Sequence, residues 1–460
     1  MVARKLAITG GRVIDPAQGI DRIADVLISN GKIDEVTSGS TGSTPDGYEH
    51  IDASGKIVSP GFVDLHTHLR DPGQEWKETI VTGTRAAAFG GFTTISAMPN
   101  TDPVQDSAAV VDDVVRRSAA EGLIRVLPIG AISIGQKGKQ LAPMGELADS
   151  GVIGFSDDGN SVDDANLMRQ ALSYSAELGL PIINHAEDKK IGAGGVMSAG
   201  TVATRLGLVG VPAEAETAMV ARDLHLADLT KARLHIPHIS TVGSLVALRT
   251  AKESGVDVTA EVTPHHLTLS DEWVYGLKGE VPTTIGSEAY DTDTKVNPPL
   301  RSRTDVEAVI DALSEGLIDI IATDHAPHAA TDKVCTYNEA AHGINVLETA
   351  FSSVFQLVDT GKISAVRLIE SLTAGPAAIL CKDLGSLKKG FSADVVVIDP
   401  GSKWIVNPEH FESKSVNSPL AGVELTGRVV TTIYQGETVF DLQSGAIGTF
   451  SEGVKAGAGQ

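Results

Sequence analysis

From residue 61 onward, apolar runs of strand length alternate with longer stretches whose apolar positions recur at helical spacing. Eight runs stand out: Gly61–His66, Phe92–Met98, Ile124–Ile132, Gly151–Ser156, Pro181–Ala186, Arg233–Ser240, Val256–Pro264 and Ile318–Pro327. Each is nearly continuously apolar, as a strand must be in a parallel sheet covered on both faces. The stretches Asp163–Leu178, Ala213–Leu229 and Arg301–Gly316 read as helices between them, and Ile344–Val358 and Ser364–Leu380 as two more that close the series. Eight βα units in succession predict an α/β fold, a (β/α)8 TIM-like barrel over residues 59–382.

The flanks have a different texture. Short β-rich runs at Lys5–Ile14, Asp25–Ile28 and Lys32–Thr37 enclose Asn30-Gly31, a strong hairpin signal, and short strands return at Gly390–Asp399 and Gly427–Val439. Chain ends commonly lie close together, so residues 1–58 and 383–448 are expected to share one small composite β-sandwich domain. The Gly- and Ala-rich tail, 449–460, reads as disordered. The stretch Thr268–Val296, with Gly279 and Gly286, reads equally well as a mobile element near the barrel mouth or as a plain surface insertion.

Composition narrows the function classes. The 460 residues carry 59 acidic against 37 basic side chains, a net charge of −22, and aromatics are only 4%. Nucleic acid is therefore not an expected partner, and no aromatic belt or run of about 20 apolar residues points to a membrane. No signal-peptide core stands near Met1, so the expected location is cytoplasmic. Cys335 and Cys381, the two cysteines, are expected to be free thiols without catalytic work.

Histidine placement carries the chemistry. Of 13 histidines, nine fall in or just after a predicted strand: His66, His68, His185, His235, His238, His265, His266, His325 and His328. In a barrel the strand C-termini converge on one mouth, where active sites are built. His66 and His68, two apart on an extended chain, point to the same side and can grip one metal ion. His185 and His238 add neutral nitrogen ligands, and Asp324 adds a carboxylate from strand eight. Strand four offers Asp157 and Asp158, which must face opposite ways, and Asp158 is taken as the carboxylate bridging two cations. Such a pair would lower the pKa of a shared water and make hydroxide available as a nucleophile.

These residues resemble those of the amidohydrolase superfamily, and within it the long-chain bacterial dihydroorotases. The matching stretches run across almost the whole chain: PGFVDLHTHLRDPG from Pro60, SAMPNT from Ser96, GFSDDG from Gly154, IINHAE from Ile182, HIPHIST from His235, EVTPHHL from Glu261, KVNPPLR from Lys295 and ATDHAPH from Ala322. The resemblance implies metal ligation by His66, His68, Asp158, His185, His238 and Asp324, with one or two zinc ions, two being expected. It implies Asp324 as the catalytic acid–base, and substrate contacts from His68, Arg70, Asn100, Asn297, His328 and the His342–Gly343 backbone. Ala341-His342-Gly343-Ile344 departs from the Pro-Phe-Gly-Ile-like turn common in the family.

The implied reaction is reversible hydrolysis of the cyclic amide of dihydroorotate to N-carbamoyl-L-aspartate, the third step of pyrimidine synthesis. Relatives acting on hydantoins or allantoin often carry a carboxylated lysine on strand four, and GFSDDG has none. An inactive homologue serving aspartate transcarbamoylase would be expected to have lost ligands, and none of the six is missing. The implied partner is thus a small-molecule substrate, with a transcarbamoylase as a second candidate and a homodimer as the default assembly.

Overall fold

The computed structural model describes residues 5–40, 44–276 and 288–447. Gly279, Gly286 and the tail 449–460, on which the expectations of a mobile element and of disorder fall, lie outside the described residues. Among the described residues no helix is long and apolar enough to cross a membrane.

Eight parallel segments close into a barrel. Phe62–Thr67 pairs with Phe92–Ala97, which pairs with Arg125–Pro128. Phe155 bridges Gly130 on one side and Ile182 on the other. Ile182–Ile183 pairs with Leu234–Ile236, then Val258–Val262, then Ile320–Ile321. A bridge from His325 back to Thr67 completes the ring.

Several predicted runs are longer than the ladders they form, and strand four is reduced to the bridge at Phe155. The reason is visible beside it: the Asp157 carboxylate accepts from Ile132 N at 2.9 Å and Ser133 N at 3.0 Å, taking the place a strand carbonyl would hold. The apolar runs thus end where polar side chains take over backbone pairing at the mouth.

The helices follow their caps. Ala165–Leu178 starts where Asp164 accepts from Asn166 N and Leu167 N and stops at Gly179, φ 68°. The predicted Ile344–Val358 helix begins only at Ala350, because Ile344 pairs with His325 and the His325 ring accepts from Val346 N at 3.2 Å. Ser364–Leu380 divides at Thr373, φ −130° and ψ −83°, into Ala365–Leu372 and Ala374–Leu380. Pro376 then sits in a first turn, where its missing N–H costs nothing; in one continuous helix it would break the ladder.

The chain ends build one nine-stranded sheet in which Ile57–Pro60 joins Lys5–Asp15 to Val395–Ile405. Asn30 and Gly31 turn the predicted hairpin with φ of 53° and 72°, as a type I′ turn requires. Alternation along the strands divides two cores. Val13, Val58, Val395 and Val397 enter a small cluster with Leu6, Ile8 and Ile433, while their neighbours Ile14, Ile57, Val396 and Ile398 join the barrel's core. The sheet is thereby fastened to the barrel along one whole face.

Candidate active site

The predicted ligands arrive at one place from five separated strands. His66 Nε2 lies 3.5 Å from Asp158 Oδ1 and 3.4 Å from Asp324 Oδ1. His68 Nε2 lies 3.3 Å from Asp158 Oδ2 and 3.1 Å from Asp324 Oδ1. His185 Nδ1 is 3.5 Å from Asp158 Oδ1 and 3.0 Å from His238 Nε2. The potential ligand atoms form three groups, each within 4.8 Å: His66 with His238 and Asp324, His66 with His68 and Asp158, and Asp158 with His185 and His238.

Local backbone helps to aim them. His238 and Asp324 adopt φ of 36° and 47°, and Arg70 adopts 60°, all in the left-handed region that L residues avoid. Such conformations persist where the surroundings over-determine them, and here they turn the chain at the strand ends so that the side chains face the axis. Asp158 meets the histidines, whereas Asp157 is turned onto strand three and, despite those bonds, burial pushes it up to about 6.

The donor chemistry fits a divalent cation. His66 Nε2 and Asp158 Oδ1 are buried and face each other without a hydrogen-bond partner. Leaving buried polar atoms unpaired costs about 1–3 kcal/mol each, a cost that coordination would remove. The far nitrogens are already committed. His66 Nδ1 is 2.6 Å from Glu261 Oε1, which fixes Nε2 as the free lone pair, and His68 Nδ1 is 2.9 Å from Asn100 Oδ1, which does the same. Burial works against ionised Glu261, but His66 and His235 outweigh it and bring Glu261 down to about 2. For His185, burial favours the neutral ring, yet Asp158 and Glu187 raise it to about 9, the behaviour of an imidazole in a field built for a cation.

Beside this cluster is a cavity of about 180 Å³ whose lining includes Arg70, Asn100, Asn297, His328, His342 and Gly343. Every residue expected to touch substrate therefore borders it, together with His68, Asp158, His185 and Asp324. Asn297 does so while its Nδ2 donates to Glu187 Oε2 at 3.0 Å, and His328 Nε2 donates to His342 O at 2.9 Å. His342 is exposed at the cavity rim, where partial desolvation of its ring and nearby Lys295 and Lys333 lower it to about 4, so the unusual turn adds a neutral side chain to the wall.

Four supporting residues were not singled out from the sequence: Glu261, Glu187, Asp64 and Asn417. Glu261 left a signal, an acid near the C-terminal end of the strand run Val256–Pro264, where side chains reach the mouth. Asp64 left the same one in Gly61–His66, where it accepts from Thr323 N at 3.0 Å and ties strand one to strand eight. Asn417 left none, being one amide in a polar loop. Of the other strand-end histidines, His235 rests on Glu261, His266 on Pro298 O and His325 on the turn before Ala350, so none of these joins the cluster.

A closed parallel barrel with a buried imidazole–carboxylate cluster at its mouth defines a class: a metal-dependent hydrolase of the amidohydrolase type. Solved structures share the architecture. The L-hydantoinase (dihydropyrimidinase) from Arthrobacter aurescens superposes with a TM-score of 0.83 over 96% of this chain and 97% of that one, at 24% identity. Dihydropyrimidinase from Brevibacillus agri gives 0.80 over 95% of each chain at 23%. A dihydro-orotase-like family model matches residues 55–244. Dihydroorotase from Anaeromyxobacter dehalogenans is 49% identical over 95% of this chain and 98% of its own length, and that from Geobacter metallireducens 48% over 95% and 99%. The chain belongs to the dihydroorotase family.

Proposed function

We propose that the protein is a dihydroorotase, hydrolysing the cyclic amide of dihydroorotate to N-carbamoyl-L-aspartate and closing it again in the biosynthetic direction. The observation that carries this reading is the joint presence, around one cavity, of the imidazole–carboxylate cluster and the buried guanidinium of Arg70. His66, His68, His185 and His238 would hold the metal with Asp158 and Asp324, and Asp158, the one carboxylate shared by two of the three ligand groups, would be the bridge between two cations. When bound, a divalent cation supplies Lewis acidity toward the amide carbonyl and an acidified water.

The chain's own groups divide the remaining work. Arg70 is pushed down by burial only to about 10 and so remains a cation at neutral pH, able to hold the substrate carboxylate. His328 is pushed down by burial and by neighbouring Arg70 and Lys77 to about 3, so it contributes a neutral ring. The acidic net charge of the chain is compatible with an anionic substrate, because Arg70 is a local cation in the cavity and a bound divalent cation would offset Asp158 and Asp324 beside it. Despite burial, His66 and His68 hold Asp324 well below the usual carboxylate range. It is therefore ionised, ready to accept the proton of the attacking water and pass it to the departing ring nitrogen. Closing the ring turns a carboxylate into an amide and consumes a proton, so acid favours the cyclic product.

The reading takes zinc as the cation, two ions per subunit, a homodimer as the assembly and the cytoplasm as the location, with a transcarbamoylase as candidate partner. Purification with metal analysis and sedimentation checks the first points. The deciding experiment is an assay of metal-replete protein on dihydroorotate, hydantoin and allantoin. Turnover of dihydroorotate, lost in Asp324→Ala, is expected; preference for either other substrate overturns the reading.

A further inference from the structure

Asn417 belongs to the sheet, in the crossing between Val395–Ile405 and Glu424–Tyr434, yet it is buried against the barrel mouth. Its amide is fully used there. Nδ2 donates to Ala326 O at 3.2 Å and to Gly343 O at 3.1 Å, and Oδ1 accepts from His328 N at 3.0 Å. Ala326, His328 and Gly343 all line the substrate cavity. Two donors and one acceptor meet two carbonyls and one N–H, so only an amide in this orientation satisfies all three.

The two backbone segments it joins are already as close as their side chains allow. Gly343 has φ 147°, and a Cβ there would lie 2.7 Å from Ala326 O and 2.9 Å from His328 Cδ2. Glycine permits the approach, and Ala326 N to Ile344 O at 2.9 Å fastens one edge of it. Asn417 fastens the other edge from a different part of the molecule. The preceding residues are held independently: Thr323 N on Asp64 at 3.0 Å, and His325 O accepting from His68 N at 2.9 Å. Disturbing Asn417 therefore loosens the cavity wall after Asp324 while Asp324 keeps its own anchors.

We infer that Asn417 is a positioning residue through which the sheet sets the width of the substrate cavity between Ala326–His328 and Gly343. This rests on the dihydroorotase reading above. The test uses the full-length, metal-replete protein and compares Asn417→Asp, Asn417→Ala and Trp404→Phe with the unsubstituted chain. Asp is isosteric but turns an oxygen toward two carbonyls. Trp404 donates from the same sheet to Ser352 Oγ at 3.2 Å and does not line the cavity.

The expected result is a KM for dihydroorotate raised about tenfold by either Asn417 change, the size of one lost buried hydrogen bond. The Asp variant should be at least as impaired as Ala, with kcat within about threefold and metal content unchanged. Trp404→Phe should lower thermal stability and leave KM alone. Unchanged KM in folded Asn417 variants overturns the inference, as does an equal KM rise in Trp404→Phe. If both Asn417 variants fail to fold while Trp404→Phe folds, Asn417 is a folding residue and the inference falls. Amide exchange at His328, expected to accelerate in Asn417→Ala, reads the wall directly. It separates failure of this inference from failure of the substrate assignment, which would show as an unsubstituted chain inert toward dihydroorotate.

Discussion

The cavity at the floor of the barrel, about 660 Å³, is larger than the one at the mouth, about 180 Å³, and it too is lined by charged residues. At the floor, Arg367, Asp319 and Arg233 are tied to backbone or to an opposite charge. Arg367 donates to the carbonyls of Leu313, Ile318 and Asp319 at 2.7–2.9 Å and pairs with Glu370, while Lys252 serves Asp319 and Leu317 O. At the mouth, imidazoles and carboxylates face one another with ligand atoms left over. Volume and charge alone do not make a site. What distinguishes one is buried polar chemistry that the protein has arranged and not satisfied, aimed at a space a ligand can enter.

The sharpest way to break this contrast is Asp324→Ala, which should lower kcat by about a thousandfold or more if Asp324 moves the proton. A variant retaining a tenth of the activity would mean the mouth works otherwise. Next, Glu261→Gln should weaken metal retention about 10–100-fold, measured by competition with a chelator, because His66 loses the carboxylate that orients it. Arg70→Lys should raise KM for dihydroorotate by about tenfold or more, since an ammonium cannot reproduce the planar fork, with metal content unchanged. At the floor, Arg367→Met should cost about 1–3 kcal/mol of stability by chemical denaturation, with kcat and KM untouched.

A separate effect, on stability against pH, concerns Glu348, which belongs to neither end. Burial raises it from 4.5 to about 8. The folded chain therefore keeps a proton that the unfolded chain has released between those values, so this residue makes stability fall as pH rises from about 4.5 to about 8. Glu348→Gln should remove that slope, seen as a Tm gain at pH 9 relative to pH 5.

Residue order went far toward the result because barrel chemistry is periodic. An apolar run marks each strand, the mouth lies at its C-terminal end, and a histidine or aspartate at that end is thereby placed near the others. His66, His68, His185, His238 and Asp324 could be grouped by that rule alone, whereas alternation said only that Asp157 and Asp158 face opposite ways, and the fold decided that Asp158 meets the histidines. The same rule also gathered His235, His266 and His325, which the folded chain puts to supporting work, because a strand-end position fixes proximity and not the direction of a ring.

Tertiary structure alone decided the partners of groups that meet across the barrel. Glu261 reaching His66, Asp64 reaching Thr323 and Asn417 reaching Gly343 each join segments far apart in the chain. It also decided where helices begin and break, since Ile344 pairs with His325 in a bridge and the helix starts only at Ala350. Local pattern specifies which face of a strand or helix is buried; a hydrogen bond between distant segments depends on distances of a few ångströms that exist only once every element has packed.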